Sequence, residues 1–187
     1  MRTMTTQKLT QRGFTLLELL CTLTIVSILY SVAIPSFQTF IASTQRDALK
    51  QKLFTLIQYT RSKAAFQATN VILCPSTNQI DCINDWQQPL MIFSDVNDNK
   101  RRDDAEIIDR IEGIAQKNYQ IRWRASGTSR YLRYVSDGST VYQNGTFTLC
   151  PTINNIEHIQ KIIIYRSGRA RKAQRNEIKL ANCGESH

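Results

Sequence analysis

The chain has 187 residues with a formal net charge of +9, and 42% of them are hydrophobic. That length bounds it to one domain plus a terminal segment, and that apolar share excludes a disordered chain. The histidines, His158 and His187, form no metal or triad cluster and no phosphate-binding glycine loop occurs, so the chain reads as a non-enzyme with no cofactor and no metal.

Residues 1–13 form a basic leader, with Arg2, Lys8 and Arg12 and nothing acidic. From Phe14 to Ile34 follow 21 residues whose only formal charge is Glu18. As a helix that run is roughly 32 Å long, against a bilayer core of about 30 Å. The positive-inside bias puts the leader in the cytoplasm and everything after Ile34 outside. An acidic group in such a segment needs a partner, and the intact leader offers none. A cut after Gly13 gives Phe14 a charged α-amino group that can neutralise Glu18 of its own or a neighbouring chain. A secretory signal peptide is disfavoured, because the run exceeds a usual h-region and no small-residue cleavage site follows.

Gln11-Arg12-Gly13-Phe14-Thr15-Leu16-Leu17-Glu18-Leu19-Leu20 closely resembles the class III signal of type IV pilins and type II secretion pseudopilins. The resemblance implies that a prepilin peptidase cuts after Gly13, that Phe14 is then N-methylated, and that Glu18 guides assembly with other pilins in a fibre. It also implies a single-pass anchor in the bacterial inner membrane, a periplasmic globular part, and later incorporation into a pilus at the cell surface.

Pro35 is expected to interrupt or kink the helix. Residues 35–67 then form its amphipathic half, with Leu49, Leu53, Leu56, Ile57, Thr60 and Ala64 as one buried stripe. From 68 to 187 the texture turns to short β-like runs: Val71–Cys74, Leu90–Phe93, Ile107–Ile111, Gln120–Arg124, Tyr131–Val135, Thr146–Leu149 and Ile162–Tyr165. Asp137-Gly138, Asn144-Gly145 and Ser167-Gly168 are turn dipeptides. The fold class is α+β, a long N-terminal α-helix packed on an antiparallel β-sheet domain. Val71-Ile72-Leu73-Cys74-Pro75, Trp86 with Met91-Ile92-Phe93-Ser94-Asp95-Val96-Asn97, and Phe147-Thr148-Leu149-Cys150 resemble the FimT/GspH branch of the pilin superfamily.

Cys21 lies in the apolar run and reads as a free, buried thiol. Cys74, Cys82, Cys150 and Cys183 face an oxidising compartment, where four cysteines allow three pairings. Cys74–Cys82 with Cys150–Cys183 is the favoured set, and the connectivity stays open.

Charge is unevenly spread: from Gly113 to His187 there are 12 Lys/Arg against 4 Asp/Glu, which points to an anionic partner. Lys161, Arg166, Arg169, Arg171, Lys172, Arg175 and Lys179 crowd one segment opposite Glu177. Gly168 permits a sharp turn, and on an extended segment after it Arg169 and Arg171 would share one face, about 7 Å apart. Arginine forks bind phosphate oxygens through paired, charge-assisted bonds. Gly168-Arg169-Ala170-Arg171 resembles the Gly-Arg-x-Arg segment of FimT-like minor pilins that bind DNA during natural transformation. The resemblance implies sequence-independent DNA contacts by Arg169 and Arg171, with Lys172, Arg166 and Arg175 as auxiliaries. The rivals are a solvated basic turn on a structural minor pilin or GspH-like pseudopilin that binds only other pilins, and an adhesion subunit meeting anionic surface polymers.

A second basic stretch, Lys117, Arg122, Arg124, Arg130 and Arg133, interleaves Trp123, Tyr131 and Tyr134. Stacked bases would use such aromatics, but Trp123 reads first as core. Asp95, Asn97, Asn99, Asp103 and Glu106 match positions 1, 3, 5, 9 and 12 of an EF-hand loop, yet Lys100 stands where that loop demands glycine. A hairpin tip held by Asx turns accounts for the same residues.

Overall fold

The computed structural model describes residues 15–116, 118–152, 158–178 and 183. The leader, Gly13 and Phe14 with the expected cleavage and methylation, Lys117, Lys179 and His187 lie outside the described residues. The chain divides into two units, one ending at Ala42 and the other beginning at Ser43. Helix α1, Leu16–Gln67, contributes residues to both.

In the first unit Thr15 caps α1. Its Oγ1 accepts the Glu18 N–H at 3.3 Å, and its carbonyl accepts the Leu19 N–H at 3.2 Å. Thr15-x-x-Glu18 is capping-box spacing, and it puts Glu18 in the first turn, where the helix dipole favours negative charge. Glu18 has no counter-charge in the uncut leader, but the start of its own helix is a favourable neighbour. The helical hydroxyls also bond inward. Thr22 and Thr24 donate to Leu19 O and Cys21 O, each at 2.8 Å, and Ser27 and Ser31 donate to Thr24 O and Ile28 O at 2.8 and 2.7 Å. The backbone is helical through Pro35, so the expected interruption does not occur: one lost amide donor is outweighed by the intact bonds on either side. Cys21 forms no disulfide and is exposed in this single chain, not buried. Among the described residues no helix is long and apolar enough to cross a membrane. The expected span over Phe14–Ile34 begins outside them.

In the second unit Leu49, Leu53, Leu56, Ile57, Thr60 and Ala64 are all buried. Thr60 is tolerated there because its hydroxyl donates to Leu56 O at 2.7 Å. The strands form two antiparallel four-stranded sheets, where the sequence suggested one. The first contains β1 (Val71–Pro75), β2 (Leu90–Ser94), β3 (Ile108–Glu112) and β5 (Leu132–Tyr134) in the order β3-β2-β1-β5. The second contains β4 (Tyr119–Ala125), β6 (Gly145–Pro151), β7 (Gln160–Ile164) and β8 (Ala170–Lys172) in the order β4-β6-β7-β8.

Both sheets share one core with the helical stripe. Val71, Leu73, Ile92 and Tyr134 come from the first sheet, and Trp123, Phe147, Leu149 and Ile162 from the second. The opposite face of the first sheet buries Ile72, Cys74, Met91 and Phe93 in a smaller cluster. That double burial explains why β1 and β2 read as continuous apolar runs rather than alternating ones. The cysteines pair as Cys74–Cys82 and Cys150–Cys183, with Cα atoms 5.5 and 5.6 Å apart. The second bridge ties the tail to β6, next to the basic segment.

Candidate functional site

The turn between β7 and β8 is built by its glycine. The Gly168 N–H bonds Tyr165 O at 2.8 Å and the Tyr165 N–H bonds Arg169 O at 3.0 Å. Gly168 has φ +76°, and a Cβ there would lie 1.8 Å from Gly138 O. Conformation and space therefore both require glycine. The facing turn has the same form: the Gly138 N–H bonds Val135 O at 2.8 Å, the Val135 N–H bonds Ser139 O at 2.9 Å, and Gly138 has φ +74°.

Arg61 of α1 clamps both turns, its Nε donating to Gly138 O at 3.0 Å and its Nη2 to Ser167 O at 3.3 Å. The Tyr134 hydroxyl donates to Gly168 O at 3.2 Å, and burial pushes its pKa up, so it stays protonated. Sequence reasoning missed Arg61 and Tyr134 as positioning residues. An arginine on a helix and a tyrosine in a strand carry no local sign of a turn distant in sequence.

Arg166 and Arg169 are exposed. Arg169 and Arg171 line one groove of about 340 Å³ with Tyr165 and Ser167, as two residues of like parity on a strand should. Arg171 is already engaged. Its Nη1 and Nη2 reach the two Glu177 carboxylate oxygens at 2.7 and 2.6 Å, and its Nε donates to the Tyr165 hydroxyl at 2.8 Å. The Arg171 fork, with a bond from the Gln174 N–H, holds the Glu177 pKa down at about 2.

Lys172 is on the other side of β8. Its Nζ donates to Gln51 at 2.9 Å and lies 5.4 Å from the Phe54 ring, so alternation along the strand takes it away from the groove. Arg175 is exposed at the start of a short 3-10 turn, Arg175–Glu177. Lys161 is buried and donates to Glu177 O at 2.9 Å.

The second basic stretch is dispersed. Trp123 is buried, stacked on Phe147 at 4.2 Å, so it is core. Arg133 pairs with Asp98 at 2.8 Å. Arg124 is exposed on β4, and register carries it across the sheet through Thr146 and Ile163 to Arg171. Three strand spacings, roughly 14 Å, separate those two arginines along one face.

The acidic loop closes on itself. Buried Asp95 accepts the Asn99 and Lys100 N–H groups at 3.0 and 3.2 Å. Glu106 accepts those of Val96 and Asp103 at 2.8 and 3.1 Å. Lys100 adopts φ +63°, the bend the EF-hand gives to glycine, but the carboxylates bond backbone amides. Among the described residues no cluster of His, Cys, Asp or Glu could hold a metal ion. His158 Nδ1 accepts a bond from Arg46 at 3.0 Å, a structural contact.

Residues 50–168 match the family described as type II transport protein GspH, and residues 8–34 match the prokaryotic N-terminal methylation motif. No curated protein matches the chain. The type IV minor pilin FimU of Pseudomonas aeruginosa superposes with a TM-score of 0.54 at 16% identity, covering 75% of this chain and 96% of that one. A second crystal form of FimU gives 0.53 at 16% identity, over 71% and 96% of the two chains. The minor pseudopilin EpsH of Vibrio cholerae gives 0.48 at 10% identity over 66% and 91%, too low to bear on the fold. The FimU likeness gives the α+β type IV pilin fold. With its family match spanning well over half its length behind an N-terminal methylation motif, the chain belongs to the GspH family of minor pilins and pseudopilins.

Proposed function

We propose that this chain is a minor type IV pilin that binds DNA through the phosphate backbone and supports DNA uptake in natural transformation. The observation that carries the reading is the β7–β8 turn. A glycine that nothing else can replace holds Arg166 and Arg169 exposed beside the Arg171 groove. Arginines on one face at strand spacing reach successive phosphates without reading bases, so binding ignores sequence and weakens with salt. If about four phosphates are neutralised, the log–log salt slope on duplex DNA is near −4.

In the same reading the leader is cut after Gly13 by a prepilin peptidase and Phe14 is methylated. The Phe14–Ile34 run then holds the subunit in the inner membrane with its globular part in the periplasm. The inward-bonded hydroxyls of Thr22, Thr24, Ser27 and Ser31 suit an apolar surround. Glu18, with the new α-amino group of a neighbour, directs docking into the fibre.

A structural subunit that binds only other pilins is the second reading. It is favoured by the engagement of Arg171 with Glu177 and of Lys172 with Gln51, which spends two of the basic groups internally. The test is a polarisation assay of DNA binding by the full chain in detergent, with Arg169→Gln plus Arg171→Gln beside wild type. Loss of binding with the fold intact supports uptake. Equal binding by both removes the site, and no binding by either leaves the structural subunit.

A further inference from the structure

We propose that the cleft between the Ser126–Thr128 loop and the Thr140–Gln143 loop is a stacking site for one unpaired nucleobase of a bound DNA strand. The inference rests on the DNA-binding reading above and adds a contact to the base that phosphate binding does not require.

The cleft has a volume of about 210 Å³, and its lining includes Ser126, Tyr131, Arg133, Thr140 and Tyr142. Tyr142 is 77% exposed, a large ring held in water. The residue before it is strained. Val141 has φ +50°, and the Tyr142 N–H closes on Thr140 O at 2.6 Å, a γ-turn with positive φ at a β-branched residue. Such a conformation persists only where its surroundings impose it.

Here they do. The Thr140 N–H bonds Arg166 O at 3.0 Å, the Thr140 hydroxyl is within 3.2 Å of Tyr165 O, and the Ser126 hydroxyl donates to Tyr142 O at 2.7 Å. The loop is therefore pinned on both sides of the strained residue, and Tyr142 is presented rather than left to collapse onto the surface.

The polar groups of the cleft are spent on the protein itself. Gln143 accepts the Arg133 N–H at 2.8 Å and donates to Tyr131 O at 3.0 Å. The Ser126 and Thr140 hydroxyls are held as above. No side-chain amide is left to read a base edge. Arg133 is held by Asp98, so the cleft offers instead the exposed face of the Tyr142 ring, which suits the flat face of any base.

Its position fits a strand whose phosphates meet the arginines. The bonds from Thr140 put the cleft directly against the turn that bears Arg166 and Arg169. Arg124 lies two residues before Ser126 on the β4 side, exposed. Cations thus flank the cleft on both sides, and a base between two anchored phosphates can enter only if it is not paired in a duplex.

The test is fluorescence polarisation with the full chain in detergent, comparing oligo(dT) with a strand of equal length whose central positions are abasic. Wild type is expected to bind oligo(dT) about tenfold more tightly at equal salt, the weight of one stacked base. Tyr142→Ala should erase that difference and leave duplex affinity unchanged, while Tyr142→Phe keeps it. Equal binding of the two strands by wild type overturns the stacking site and leaves phosphate binding standing, as does undiminished discrimination in Tyr142→Ala. Failure of folded wild type to bind strand or duplex removes the DNA reading, and the stacking site with it.

Discussion

The acidic loop from Asp95 to Glu106 and the basic turn from Tyr165 to Lys172 are both short, charged connections on strands of one domain, and they dispose of their charge in opposite ways. In the acidic loop the carboxylates of Asp95 and Glu106 each accept two backbone N–H groups of the same loop. Asp103 accepts the side-chain amides of Asn97 and Asn99 at 2.7 and 2.8 Å. A carboxylate is an acceptor, and a tight loop is rich in orphan N–H donors, so acidic residues can be consumed by their own backbone. A guanidinium is only a donor. The turn's carbonyls are already taken by its own N–H groups, by the Thr140 N–H, by Arg61 and by Tyr134, so Arg166 and Arg169 project outward. Runs of charge that look alike in sequence thus become a structural knot in one case and a binding surface in the other.

The largest break in that comparison is Gly168→Ala. It puts an L-residue at φ +76° and drives a methyl group into the Gly138 carbonyl. The two effects together cost about 3 kcal/mol or more, a fall of roughly 10 °C in Tm. Thermal denaturation followed by circular dichroism measures it. DNA affinity should fall as well, since the turn must shift to admit the methyl group. Unchanged Tm would mean that the two glycine turns do not lean on each other.

Asp95→Ala is the matching break in the acidic loop, and it should act on stability alone. It takes the acceptor from the part-buried Lys100 N–H and leaves the Asn99 N–H only the Asn97 side chain, at a cost of about 1 kcal/mol. Burial is the first cause that raises the Asp95 pKa, and the neighbouring Glu106 and Asp98 charges add to it against the Lys100 and Asn99 N–H bonds. For an acid whose folded pKa is raised, the native chain binds the proton before the unfolded one does. Asp95 therefore adds stability as pH falls through its raised pKa toward 3.8, and the variant should lack that acid-side gain. A salt-dependent change in DNA binding by this variant would show that the two loops are not separate.

What the sequence disclosed follows from how each element is stabilised. The stripe from Leu49 to Ala64 and the runs in β1, β2, β6 and β7 are legible because burial imposes a period or an unbroken apolar stretch. Strand β8 is not: Ala170-Arg171-Lys172 is an edge strand with one buried alanine, so its sequence shows only a basic segment. The division into two sheets was hidden because it depends on β5 pairing with β1, a choice made by partners distant in sequence. Gly168 and the shared face of Arg169 and Arg171 could be read from local geometry. The diversion of Lys172 to the helix follows from the same alternation once β8 is known. Thr15 is legible as a cap from its Thr-x-x-Glu spacing, a local signal that the apolar run beside it masks.

The smallest effect concerns the one place where the basic turn behaves like the acidic loop, the fork of Arg171 on Glu177. DNA must displace that carboxylate to use Arg171, whereas Arg169 has no such competitor among the described contacts. Arg169→Gln should therefore weaken binding about tenfold and lower the salt slope by about one, with Arg171→Gln costing clearly less. Glu177→Gln removes the competing charge and should strengthen binding about threefold, with a salt slope steeper by up to one. The sign of the pH dependence is fixed by the lowered Glu177 pKa: the pair is fully formed above its ordinary 4.5 and is lost only as pH falls toward about 2. The gain in Glu177→Gln should then be constant between roughly pH 5 and pH 8, because the carboxylate it replaces is ionised throughout that window. A variant that binds no better than wild type, with Arg171→Gln as damaging as Arg169→Gln, would show that the fork already opens freely to phosphate and that Glu177 only shapes the tail.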